Sequence, residues 1–375
     1  MPIHSKKENT ITTPHTTDDY PLVVRVLIRL MLTFLIIAAL IFTKTLLVPL
    51  GFAVLLAYLL YPAADKLEDK GVPRIATNFI IILGTAAFVA GTVYGMAVLI
   101  TTFTGDLPEI HEQFRRNIDR VQGTISSWIG VPESQQDSMI NSALGNTGQF
   151  FKTLFTATAN SILAIGLIPV YTFLLLFYRD KFKKFLRLLV PADEESIAEN
   201  IITQASEVVP KYMKGLFVVC FILMALNSLG FYLIGVKYAI LFGILAAIFN
   251  LIPYLGTVLG YGLAFIFVLA TQSPSTAVAV LIQFFIVQFI ENNILTPNIT
   301  GSYVKINPLV TIFSLIAGGM IWGLPGMFMV IPYLAMMKIV CENIESLKPI
   351  GYLLGTRGTE RHTIHFNFFQ SSSDK

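Results

Sequence analysis

The sequence predicts an all-α, polytopic membrane protein of about eight transmembrane helices, with broken or re-entrant helices in its C-terminal half. Three observations carry that reading. Of the 375 residues, 54% are hydrophobic and only 13% are charged, and the mean hydropathy is +0.70. A water-soluble domain cannot bury that much apolar surface. Uncharged apolar runs long enough to cross about 30 Å of hydrocarbon recur along the chain. Between Tyr238 and Met337 only Glu291 and Lys305 are charged, yet Asn250, Pro253, Gln283, Asn292, Asn293, Pro297 and Pro325 interrupt that stretch.

Residues 1–21 are polar and read as a disordered N-terminus. Apolar runs at 24–43, 45–64 and 76–103 give the first three spans, grouped as 22–105; no small-residue cleavage site follows the first, so it is expected to stay as a span. Residues 106–150 place Ile110, Phe114, Ile118, Val121, Ile125 and Trp128 at alternating steps of four and three. That spacing predicts an amphipathic insertion whose apolar stripe needs a second copy, the membrane face or another helix of the chain. A fourth span fills 151–178. Residues 179–214 open with Arg179, Lys181, Lys183, Lys184 and Arg187, break at Pro191, and resume with Asp193, Glu194 and Glu195. Acids in a first turn suit the dipole of the amphipathic helix that follows. The membrane core, 215–341, divides near 215–236, 238–271, 276–297 and 306–338, and 342–375 reads as a mobile tail.

Orientation follows from the basic residues. Lys6, Lys7, Arg25 and Arg29 precede the first span, Lys66, Lys70 and Arg74 follow the second, and the Arg179–Arg187 cluster follows the fourth. All three groups face the cytoplasm if the N-terminus does, and an even number of spans returns the C-terminus to the same side. Arg115, Arg116 and Arg120 in the insertion run against the rule. The Arg179–Arg187 cluster reads as an anchor on anionic lipid.

The net charge of +3 is small, and no basic stripe interleaved with aromatics appears, so nucleic acid is not an expected partner. Cys220 and Cys341 lie far apart in apolar stretches and read as packing residues. His111 is the only histidine outside the tails, no acid or cysteine cluster accompanies it, and no phosphate-cradling glycine loop is present. An enzyme is therefore not expected, nor a metal or other cofactor.

The chemistry of the chain concentrates in the two interruptions and the lone acid. Asn250 to Gly256 falls mid-way in a segment of about 34 residues, which as one helix would be roughly 50 Å long and overshoot the bilayer. Pro253 removes a backbone donor, Gly256 lets the chain reverse, and the Asn250 amide can satisfy freed backbone or face a solute. A packed proline kink is the plain alternative. The second interruption, Gly318-Gly319 and Gly323-Leu324-Pro325-Gly326, lies in another overlong segment, and the pairs Pro253-Tyr254 and Pro332-Tyr333 hint at a repeated unit. Helical spacing puts Glu291 on one face with Gln288 and Asn292, with Gln283 close to it. An ionisable group at membrane depth costs several kcal/mol unless protonated, paired or wetted, so Glu291 marks an ion or proton path, or else it reaches headgroup water or pairs with Lys305. Gly91 with Gly95, Gly256 with Gly260 and Gly319 with Gly323 are spaced for close helix packing.

The residues Asn250-Leu251-Ile252-Pro253-Tyr254-Leu255-Gly256, Gln288, Glu291-Asn292-Asn293-Ile294-Leu295-Thr296-Pro297, Gly301, Asn307-Pro308-Leu309, Gly318-Gly319 and Gly323-Leu324-Pro325-Gly326 resemble the bacterial autoinducer-2 exporter family, also called PerM-like permeases. The resemblance covers most of the chain in layout, with its motifs concentrated in 210–340. It implies a permease of the bacterial inner membrane with about eight spans, homo-oligomeric, moving a small polar solute outward or exchanging a monovalent cation for protons, and the basic residues place both of its termini in the cytoplasm. Where the family often has histidine, this chain has Asn307 before Pro308, so a proton-transfer role is not carried to that position.

The expected pathway residues are Asn250, Pro253, Gly256, Gln288, Glu291, Asn292, Asn293, Pro297, Pro308, Gly323, Pro325 and Gly326. The leading expectation is a secondary transporter exporting a solute such as autoinducer-2, coupled to protons through Glu291. Its rivals are a sodium or lithium/proton antiporter and, from another class, a membrane scaffold acting through its polar insertions.

Overall fold

The computed structural model describes residues 21–105, 162–191, 195–252, 255–299 and 305–356, and every regular element among them is helical. The expected insertion at 106–150, Pro253 with Tyr254, Gly301, and the tail from residue 357 lie outside the described residues. The chain divides into two compact units, Met1–Leu47 and Val48–Lys375.

The first unit holds helix α1, Leu22–Phe42, in which no residue is buried. Apart from Arg25 and Arg29 near its start it is uncharged and mostly apolar, and its length suits a membrane crossing. It stops at Thr43, whose hydroxyl donates back to the Ala39 carbonyl at 2.6 Å.

Helix α2, Lys44–Glu68, bridges the two units in sequence, and α3, Arg74–Gly105, follows. Next come α4, Ile162–Phe177, the short basic α5, Arg179–Leu188, and α6, Glu195–Ile234. Helix α6 is 40 residues long, about 60 Å, so it extends well beyond a bilayer's hydrocarbon. The compositional boundary expected at 214 falls inside this continuous helix, where acids and amides give way to apolar residues without a break. Its buried residues run from Ala198 to Phe231 and make it the central pillar of the second unit. Near its start, Asn200, Gln204 and Asn343 close a ring of three amide hydrogen bonds of 3.0 to 3.4 Å.

The two interruptions become two helical hairpins. Helices α7, Ala239–Phe249, and α8, Leu255–Thr271, flank the first. A Cβ on Gly256 would lie 1.6 Å from the Phe249 carbonyl oxygen, and one on Gly260 2.5 Å from Ala246 Cα. Advancing along α8 thus means retreating along α7, which makes the arms antiparallel and in backbone contact. At 11 residues, about 16 Å, α7 is too short to cross a bilayer. Helix α9, Pro274–Ile290, continues through a π-helical turn, Glu291–Leu295, into α10, Thr296–Ile299.

The second hairpin is α11, Pro308–Trp322, with α12, Leu324–Asn343. It turns at Gly323, whose φ of 67° is the left-handed region open to glycine. A Cβ on Gly326 would meet the Gly318 oxygen at 2.1 Å, and one on Gly319 the Met327 Cε at 2.3 Å. A final turn, Glu345–Leu347, and α13, Lys348–Leu354, are the last of the described elements, and Asn307 donates its backbone N–H to the Leu354 carbonyl at 2.8 Å.

Six of the described helical runs are long and apolar enough to cross a membrane: α1, α2, α3, α6, the Pro274–Ile299 run and α12. Two packing expectations do not hold. A Cβ on Gly91 or Gly95 meets nothing within 4 Å among the described residues, and Gly323 forms a turn in place of the expected packed pair with Gly319. Of the two Pro-Tyr pairs, Pro332 and Tyr333 lie inside α12, where the Tyr333 hydroxyl donates to the Gly51 carbonyl of α2 at 2.9 Å, and Pro253 and Tyr254 lie outside the described residues.

Candidate functional site

Helix α9 begins cleanly: Ser273 caps it by accepting the Thr276 N–H, and Pro274 occupies its first position. It changes pitch at Glu291. The Asn293 side-chain amide donates to the Phe289 carbonyl at 2.9 Å, an i−4 acceptor, and the Thr296 N–H reaches back five residues to the Glu291 carbonyl. Side-chain competition for a helix carbonyl is the local cause of such wide turns, which recur at functional sites. The turn puts Glu291 opposite the α7–α8 connection.

There Asn250 Nδ2 donates to Glu291 Oε1 at 2.8 Å, and Gln288 Nε2 donates to Oε2 at 2.9 Å. Each carboxylate oxygen therefore accepts one amide hydrogen bond and keeps lone-pair capacity, and each amide keeps its own oxygen as an acceptor. Glu291, Gln288 and Asn250 are all partly buried. Glu291 has no ion pair with a described residue, and Lys305 is exposed, so the expected alternative of a Glu291–Lys305 pair is not what the structure shows.

The carboxylate faces a cavity of about 560 Å³ where both hairpins meet α6 and α9. Asn250, Gln288, Glu291 and Asn292 line it, and Thr257, Thr296 and Thr311 add hydroxyls. The opposite wall is Tyr212, Leu216, Val219 and Cys220 of α6. Such a mixture, apolar walls with a few convergent polar groups, is what small-molecule sites present.

The remaining expected pathway residues sit elsewhere. Gly256 holds the first hairpin closed, Gly323, Pro325 and Gly326 form the turn and start of α12, and Pro308 begins α11 behind its Asn307 cap, which accepts the Leu309 N–H at 3.0 Å. Asn293 and Pro297 are exposed and do not line the cavity, and Pro253 lies outside the described residues. Gln283, expected near the Glu291 face, is buried against Gly230, and its amide donates to the Asn227 carbonyl at 3.2 Å. There Tyr261 donates its hydroxyl to the Asn227 side chain. Sequence reasoning missed this buried polar cluster, and also the hydroxyls of Thr257, Thr296 and Thr311, because threonine in an apolar span is too common to stand out.

Helices of membrane-crossing length, two folded-back hairpins and a polar cavity between them define a multi-pass membrane protein of the transporter class. The sequence signature described as "AI-2E family transporter" matches residues 30–346, and the chain belongs to that family. It is 27% identical over 308 residues to "Putative transport protein YrrI" of Bacillus subtilis (strain 168), covering 79% of this chain and 86% of the relative. "Putative transport protein YueF" of the same organism is 26% identical over 320 residues, covering 82% and 86%. "Putative transport protein YhhT" of Escherichia coli (strain K12) is 22% identical over 330 residues, covering 88% and 94%.

Proposed function

We propose that this protein is a secondary transporter of the bacterial inner membrane that exports a small polar solute such as autoinducer-2, with Glu291 taking up and releasing the coupled proton. The observation that carries the reading is the Glu291 carboxylate held between the Asn250 and Gln288 amides on the wall of a 560 Å³ cavity. Amide oxygens, hydroxyls and a carboxylate match a solute rich in hydroxyl groups. A protonated Glu291 would donate where the ionised group only accepts, so the hydrogen-bond pattern offered to solute, and to the two amides, depends on its charge. One coupled proton driven by one pH unit supplies about 1.4 kcal/mol, a factor of ten in accumulation.

The same oxygen ligands also suit a monovalent cation, which supports sodium/proton exchange as the second reading. Both readings place the termini in the cytoplasm and the protein in a homo-oligomer.

Sealed proteoliposomes of the full chain, given separate pH and sodium gradients, test them. Solute flux driven by the pH gradient and abolished in Glu291→Gln supports the export reading. Sodium-driven proton movement without solute flux supports exchange. A correctly folded Glu291→Gln variant that transports at the parent rate would remove Glu291 from the mechanism in either case.

A further inference from the structure

A second cavity, of about 330 Å³, lies between α2, α4, α5 and α6, with no lining residue in common with the Glu291 site. Its lining is mostly apolar, with Leu176, Ile201 and Ile202 among it, and Tyr61, Arg179 and Lys183 add polar groups. Both cations stand over the same ring, Arg179 Cζ 5.0 Å and Lys183 Nζ 5.2 Å from the Tyr61 centroid. Four residues apart on one helix, they repel each other. Arg179 is paired by contact: its Nη2 donates to Glu68 at 2.8 Å and lies 3.6 Å from Asp65, while Lys183 has Asp180 as an acidic neighbour at longer range. None of these acids lines the cavity. The other nitrogen, Arg179 Nη1, is buried without a hydrogen-bond partner, and Lys183 has no carboxylate within 4.0 Å among the described residues.

A buried guanidinium nitrogen without a hydrogen-bond partner and an ammonium with no carboxylate in contact, lining a cavity that is otherwise mostly apolar, together suit an anion with a hydrocarbon tail. We propose that this cavity binds an anionic amphiphile, its acid group held by Lys183 and Arg179 and its chain packed between α4 and α6. The position favours a source in the bilayer, since α5 directly follows the apolar helix α4 and a lipid phosphate would lie at the end of that helix. A free long-chain acid offers the same chemistry. The proposal is independent of the transport reading.

Native mass spectrometry of the detergent-solubilised full chain tests it, with dioleoylphosphatidylglycerol, dioleoylphosphatidylcholine and laurate as probes. Phosphatidylglycerol is expected to be retained over phosphatidylcholine. Lys183→Gln weakens that retention about fivefold, the worth of one lysine against an anionic headgroup. Lys184→Gln, an exposed charge outside the cavity, leaves it unchanged. Ala205→Phe, which fills the cavity, removes it. Displacement of phosphatidylglycerol by laurate at lower concentration identifies a free acid as the ligand, and retention against laurate identifies the lipid. Equal retention of both lipids with no laurate bound overturns the proposal. So does equal weakening by Lys183→Gln and Lys184→Gln, which would mean diffuse surface attraction.

Discussion

At Glu291 the two amide donors are separable. Asn250 approaches one carboxylate oxygen from the α7–α8 connection, and Gln288 approaches the other from one turn back in α9. Removing either leaves a polar group at membrane depth with half its protein partners, and a hydrogen bond to a charged group is worth about 1.5–3 kcal/mol. Asn250→Ala and Gln288→Ala are each expected to lower flux by roughly tenfold or more. Because both act through one carboxylate, the double variant should lose less than the product of the two, which proteoliposome flux measures directly. Glu291 was legible in the sequence because it is the only carboxylate between Tyr238 and Met337. Its partner Asn250 was legible as an amide beside a break. The Asn227–Tyr261–Gln283 cluster was not, since its members come from three helices and each alone reads as an ordinary polar residue in a span. Gln283 was misplaced because eight residues of helix set it about 12 Å along the axis from Glu291, and its net rotation of about 80° is to the side away from Gln288 and Asn292.

Among the elements, the hairpins depend on glycine where backbones touch. Gly256→Ala and Gly326→Ala would drive a methyl group against fixed carbonyl oxygens, so each is expected to cost about 1–3 kcal/mol or more. Gly91→Ala and Gly95→Ala, with no described residue within 4 Å of the added methyl, should be neutral or stabilising by up to about 1 kcal/mol through helix propensity. Thermal unfolding in one detergent compares all four. The spacing of these glycines could not rank them, because only the fold reveals which face a neighbour. On α5, the Arg74 guanidinium hydrogen-bonds Asp180 at 2.7 Å and holds its carboxyl below the usual carboxylate range. A depressed folded-state pKa contributes stability above the unfolded value near 3.9, and that contribution is lost as pH falls through the folded value. Asp180→Asn should therefore lower the melting temperature slightly at pH 7, where the aspartate is mostly exposed and its pairing screened, and make no difference in strong acid.

For the whole molecule, the orientation expected from the basic clusters is one that a reporter can test. A C-terminal green fluorescent protein fusion is expected to fluoresce and an alkaline phosphatase fusion to stay inactive, and the reverse would turn the topology over. The membrane class was visible from composition alone, and the breaks from segments too long for one crossing. That each break folds into an antiparallel hairpin was less so, because a Pro-Gly interruption serves equally for a kinked span. The long α6 hid its continuity for the opposite reason: its composition changes sharply near residue 214 while its backbone does not change at all.

One wall of the Glu291 cavity carries a thiol, Cys220, and the sequence contains a single other cysteine, Cys341, which the cavity does not include. Replacing Cys341 with serine would leave a protein that brings its own chemical stopwatch: the alkylation rate of one native sulfur, followed with small charged and uncharged maleimides, times how often water enters from each side as gradients are applied.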